Sequence, residues 1–144
     1  MERPSLRVIL EAVLPPLLIW VVPVVGITWL GDPGVACMTP LAWILAVLVG
    51  QNVEHDSPLP MKGMLVEAGL GGALLGFWQG ALFAAVMAVS QYVDPRSGEP
   101  ADVIFTALLA LCLSMPVTTL LAVGWAWFLR RRKGEPTRET WWRR

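Results

Sequence analysis

Four long runs of this 144-residue chain contain no Asp, Glu, Lys, Arg or His, and they decide what it can fold into. They cover residues 12–31, 33–53, 68–93 and 103–129, with lengths of 20, 21, 26 and 27 residues. About 20 mostly apolar residues in helical form cross the hydrocarbon core of a bilayer. A helix that is apolar all round belongs in the interior of a large protein or in lipid, and a chain this short cannot enclose four of them in a soluble core. The expected fold is therefore an all-α integral membrane bundle of four transmembrane helices, with spans at about 8–30, 35–53, 61–92 and 101–129. These make one transmembrane domain over 1–129, followed by a basic cytoplasmic tail over 130–144. Composition agrees: 15% of the residues are charged, against roughly 25% in an average soluble domain.

Span 1 follows Arg3 and Arg7. Its apolar stretch is longer than the ~7–15 residues of a signal-peptide core, and no small-x-small cleavage site follows it. It reads as a retained span. Pro15, Pro16 and Pro23 each remove a backbone donor and crowd the preceding turn, so a kink or local unwinding is expected there, and Pro116 predicts a kink in span 4. Ser114, Thr118 and Thr119 can satisfy nearby backbone groups. Span 2 is the most ambiguous. Thr39-Pro40 has the form of a helix start, and a helix beginning there is too short to cross unaided, so either Pro40 sits inside a full crossing or the preceding segment is re-entrant. Residues 51–62 read as a loop, because Pro58 and Pro60 stop a helix from continuing, and residues 31–34 and 94–100 carry turn signals. Cys37 and Cys112 have neither metal nor disulfide spacing and read as small packing residues.

Orientation follows from the placement of Lys and Arg, which concentrate on the cytoplasmic side of membrane proteins. Four crossings put Arg3, Arg7, Lys62, Arg130, Arg131, Arg132, Lys133, Arg138, Arg143 and Arg144 on one side, leaving only Arg96 of the 11 basic residues on the other. Both termini and the middle loop are thus expected in the cytoplasm, with a bacterial-type cell membrane as the default location. A three-crossing arrangement strands Arg3 and Arg7 outside. Trp29, Trp43, Trp125 and Trp127 fit the enrichment of Trp at membrane interfaces, and Trp20 is expected deeper. Arg130, Arg131, Arg132 and Lys133 are expected to meet anionic headgroups of the bilayer. The tail is too short to suggest nucleic-acid binding.

The sharpest periodicity lies on span 3. Ala68, Gly72, Gly76, Gly80, Ala84 and Ala88 recur every four residues, which puts them on one helix face. Small residues at this spacing let another helix approach backbone to backbone. That helix is either one of the chain's own or belongs to another subunit in a homo- or hetero-oligomer. Gln79, mid-span, is placed to hydrogen-bond to a neighbouring helix.

Ionisable residues within spans are costly and raise functional hypotheses. Glu67 and Glu11 lie at similar shallow depth and are candidates for a proton or cation site. The simpler reading pairs them with Lys62, Arg7 or Arg130, or with headgroup water. Glu54-His55-Asp56 is the one acid–histidine cluster and a weak candidate for a metal or catalytic site, since adjacent residues rarely converge on one centre; the simpler reading is a solvated loop. No motif for a nucleotide, a zinc protease or a nucleophile elbow is present, and no cofactor is implied. The leading expectation is an accessory, assembly or packing subunit of a membrane complex or homo-oligomer. The alternatives are a small transporter or channel using Glu67 and Glu11 and, behind it, a membrane enzyme with a cytoplasmic-face site at Glu54, His55 and Asp56.

Overall fold

The computed structural model describes residues 4–30, 35–93 and 100–133. They form four α-helices: α1 (Leu6–Leu30), α2 (Val35–Asp56), α3 (Met61–Val93) and α4 (Pro100–Arg132). No strand occurs among the described residues. α1 packs on α2 and α3, α2 also packs on α3 and α4, and the α3–α4 contact is the most extensive; the α1 and α4 backbones do not come close among the described residues.

The helix limits have local causes. Ser5 is the cap of α1, and its carbonyl accepts the Ile9 N–H at 3.2 Å. Pro15, Pro16 and Pro23 lie inside α1, and the helix runs past all three without an unwound segment. α2 extends to Asp56 and holds Pro40 within it, so Thr39-Pro40 does not begin the helix. The expected loop over 51–62 is also shorter. Gln51 to Asp56 are helical, and only residues 57–60 link α2 to α3. The apolar run ends before the helix does, and the stop comes from Pro58, which disfavours helical geometry at Ser57. The Ser57 N–H still donates to the Val53 carbonyl at 2.9 Å, and the Pro60 carbonyl accepts the Met64 N–H at 3.1 Å to start α3. α4 opens on Pro100, a residue suited to the first helical position.

Large and small apolar residues divide between the outside and the inside. The core is built from Ala12, Val13, Ala46, Val49, Ala68, Ala122 and Ala126, with Leu45, Met64, Leu75 and Trp20 filling between them. The outer surface carries Leu10, Leu14, Leu18, Ile44, Leu70, Leu74, Phe77, Ile104, Phe105, Leu108 and Leu120. A soluble monomer rarely exposes a contiguous apolar patch of more than a few hundred Å². Among the described residues three helical stretches are long and apolar enough to cross a membrane: Leu6–Val24, Met61–Val89 and Ile104–Arg132. Cys112 is on this outer surface. Read from the sequence as a small packing residue, Cys112 therefore has no packing role against the other described helices. The side chains of Trp29 and Cys37, the turn at 31–34, the loop at 94–99 and the tail from 134 lie outside the described residues.

Candidate functional site

The start of α1, the end of α2, the start of α3 and the end of α4 meet at one end of the bundle, and a polar layer joins them. Glu67 is at its centre and is fully buried. Its Oε1 accepts the backbone N–H of Ser5 at 2.7 Å, and its Oε2 accepts the Ser57 hydroxyl at 2.5 Å. Ser57 Oγ in turn accepts the Leu59 N–H at 3.3 Å. One carboxylate thus holds the cap of α1 and the α2–α3 linker against α3.

Glu54, in the last turn of α2, makes the second tie. It is 5% exposed. Its Oε2 lies 2.8 Å from Lys133 Nζ, and its Oε1 lies 4.0 Å from an Arg130 nitrogen. Arg130 also donates to the Leu59 carbonyl at 3.1 Å. Near the same end, the Asn52 amide donates to the Ala12 carbonyl at 3.3 Å and fastens α2 to α1.

Other candidates are placed differently. Glu11 faces outward and pairs with Arg7 one turn earlier, at 2.7 Å; the donors that hold Glu67 do not reach it. His55 and Asp56 are exposed while Glu54 turns inward, and no group of three or more His, Cys, Asp and Glu could hold a metal ion among the described residues. Of the four basic residues expected at headgroups, Arg130 and Lys133 turn back to Leu59 and Glu54. Arg131 lies over the Trp127 ring, 5.0 Å from its centroid, and Arg132 is exposed.

The small-residue ridge of α3 faces α4. A Cβ at Gly72 would lie 2.8 Å from the Thr118 carbonyl oxygen and from the Thr119 Cα, and one at Gly76 would lie 2.7 Å from the Met115 Cα and the Ser114 carbonyl oxygen. Gly72 and Gly76 therefore have their neighbour within the chain. Ala68 and Gly80 are buried too, whereas Ala84 is half-buried and Ala88 exposed. This close approach puts α3 carbonyls within reach of α4 hydroxyls. Ser114 Oγ donates to the Gly76 carbonyl at 2.7 Å, and Thr118 Oγ1 lies 2.8 Å from the Gly72 carbonyl. Thr118 and Thr119 also reach carbonyls of their own helix, Ser114 at 2.6 Å and Met115 at 2.7 Å.

Higher in the bundle, all four helices line a cavity of about 370 Å³. Gln79 is in its wall, 3% exposed, yet neither amide atom has a hydrogen-bond partner among the described residues. The expected hydrogen bond to a neighbouring helix is not made, because the facing α4 hydroxyls of Ser114 and Thr118 donate to backbone carbonyls instead. The Trp20 indole N–H, from the same wall, also lacks a partner.

Sequence reasoning located Glu67 and Glu54 but not what holds them. Ser5 and Ser57 carried no signal beyond their places before a helix and before Pro58. No family model, no curated protein and no solved structure matches the chain.

Proposed function

We propose that the chain is an integral membrane protein that crosses the bilayer four times, with both termini and the α2–α3 linker in the cytoplasm, and that it serves as a non-catalytic assembly or accessory subunit of a membrane complex. One observation carries this reading: the two buried carboxylates among the described residues, Glu54 and Glu67, are both engaged in tying helix ends together. The outward surface is formed largely of apolar side chains. What the molecule offers to others is then a surface suited to lipid and to apolar helices. Four crossings include α2, whose uncharged part, residues 35–53, spans about 28 Å at 1.5 Å per residue, close to a hydrocarbon core of about 30 Å. The charge bias supports the orientation, since the end that holds Glu54, Arg130 and Lys133 also holds Arg7, at the start of α1, and Lys62, at the start of α3.

The test is native mass spectrometry of the tagged chain after mild extraction from its own membrane. The reading expects a species of fixed stoichiometry containing this chain and another subunit, or several copies of it. A lone monomer under conditions that preserve known complexes of the same membrane contradicts it.

A second reading, a small proton- or cation-coupled transporter, draws on the complete burial of Glu67. Glu11 would join it only from the exposed face of α1. Flux into liposomes that falls in Glu67→Gln and Glu11→Gln supports this alternative; absence of flux in the parent chain removes it.

A further inference from the structure

We infer that the cavity between the four helices is a binding site for a neutral, lipid-soluble molecule that carries a carbonyl or hydroxyl group. Its volume, about 370 Å³, falls in the range of small-molecule pockets, roughly 300–1,000 Å³. Trp20 comes from α1, Trp43 from α2, Gln79 and Phe83 from α3, Leu113 and Thr118 from α4. No ionisable side chain is among the lining residues, and nearly all of the wall is apolar. A charged ligand would leave its hydration behind and meet no opposite charge, so anionic headgroups and metal ions do not suit it.

The polar requirement comes from two side chains. Gln79 and Trp20 are 3% and 4% exposed, and Gln79 Nε2, Gln79 Oε1 and Trp20 Nε1 lack hydrogen-bond partners among the described residues. The indole offers a donor only; the amide offers a donor and an acceptor. A ligand carbonyl answers the donors, and a hydroxyl answers both kinds. The Ser114 hydroxyl in the same wall already donates to the Gly76 carbonyl, and the one Thr118 hydroxyl proton is shared among the Gly72, Ser114 and Met115 carbonyls, which leaves Gln79 and Trp20 to recognise the ligand. The Gln79 amide atoms and the Trp20 indole nitrogen have almost no accessible surface in this conformation, so the ligand meets them after both side chains rotate. Water fits the polar atoms but not the apolar wall. Trp43 and Leu113, about half exposed, border the cavity on the outer apolar surface, so the ligand arrives through lipid.

The inference rests on the membrane insertion proposed above but not on the subunit role. The test places the full chain in phosphatidylcholine vesicles that contain a photoactivatable diacylglycerol or, separately, a photoactivatable long-chain alcohol, and maps the adducts by mass spectrometry. Flotation with the vesicles is read first; a chain that does not float removes the membrane reading and this inference with it. Adducts are expected on Trp20, Phe83 or Leu113. Excess unlabelled lipid of the same class and the Gln79→Leu change should each reduce them about fivefold or more, the equivalent of roughly one hydrogen bond. Ala42→Phe, which fills the cavity and keeps both polar side chains, should reduce them as well. A chain that floats but gives adducts spread over outward residues such as Leu70 and Leu120, neither competed nor changed by the substitutions, overturns the inference alone. So does chain-to-chain cross-linking from a photoactivatable leucine analogue incorporated at Leu113, which would make a second copy the occupant.

Discussion

The carboxylate of Glu67 on α3 accepts the backbone N–H of Ser5, the cap residue of α1, at 2.7 Å. In a capping box this N–H is answered by a Glu or Gln three residues later in the same helix. Here that position is Val8, and the acceptor arrives from a helix 62 residues away in sequence. The relationship makes the start of α1 dependent on α3, and through the Ser57 hydroxyl it makes the α2–α3 linker dependent on the same group.

Glu67→Ala should therefore destabilise the bundle by about 3 kcal/mol, since it leaves two donors in a buried site without their acceptor. Glu67→Gln keeps one acceptor oxygen and should lose about 1 kcal/mol. Reversible unfolding in mixed micelles measures both. Equal, small losses in the two variants would mean that the carboxylate does not hold the helix ends.

At Glu54 the expected asymmetry is between the partners. Lys133 is 61% exposed in its side chain, so Lys133→Ala should cost under about 1 kcal/mol, as surface pairs do. Glu54→Ala should cost about 2 kcal/mol or more, because the Arg130 side chain, 16% exposed, loses an opposite charge in a partly buried setting. The same unfolding assay decides it; a larger loss from Lys133→Ala than from Glu54→Ala would contradict the burial pattern.

Packing should outweigh hydrogen bonding along the α3–α4 seam. Gly72→Ala drives a methyl into the backbone of α4 at Thr118 and Thr119, and overpacking of this kind costs about 1–3 kcal/mol. Thr118→Val keeps the shape and removes a hydroxyl bond between helices, worth about 0.6 kcal/mol in membrane proteins. Gly124→Ala meets nothing within 4 Å and should be neutral or slightly stabilising, by up to about 1 kcal/mol, from helix propensity. Stability curves for the three variants should keep that order.

Helix positions were legible in the sequence because uncharged runs end at charges and prolines, both of which act locally. The end of α2 was less so: Gln51 and Asn52 lower the hydropathy while the backbone remains helical to Asp56. Periodicity identified the face of α3 that carries Gly72 and Gly76, but a repeat says nothing about which helix fills it, and the answer depends on where Pro116 and Thr118 place α4. Glu67 stood out as a carboxylate in an apolar helix. Its donors did not, since Ser5 and Ser57 meet it only after three helices have packed. Gln79 and Trp20 show the same limit, because neither residue alone reveals a shared cavity.

The central claim is a four-crossing bundle with the Glu54–Glu67 end in the cytoplasm, and substituted-cysteine labelling in intact cells tests it most directly. With Cys37 and Cys112 replaced by Ser, single cysteines are introduced at His55, Ser97 and Lys133 and treated with a membrane-impermeant maleimide. The account predicts that the Ser97→Cys chain is labelled in intact cells, whereas His55→Cys and Lys133→Cys react only after permeabilisation. Labelling of the His55→Cys chain in intact cells, or of all three alike, would contradict it.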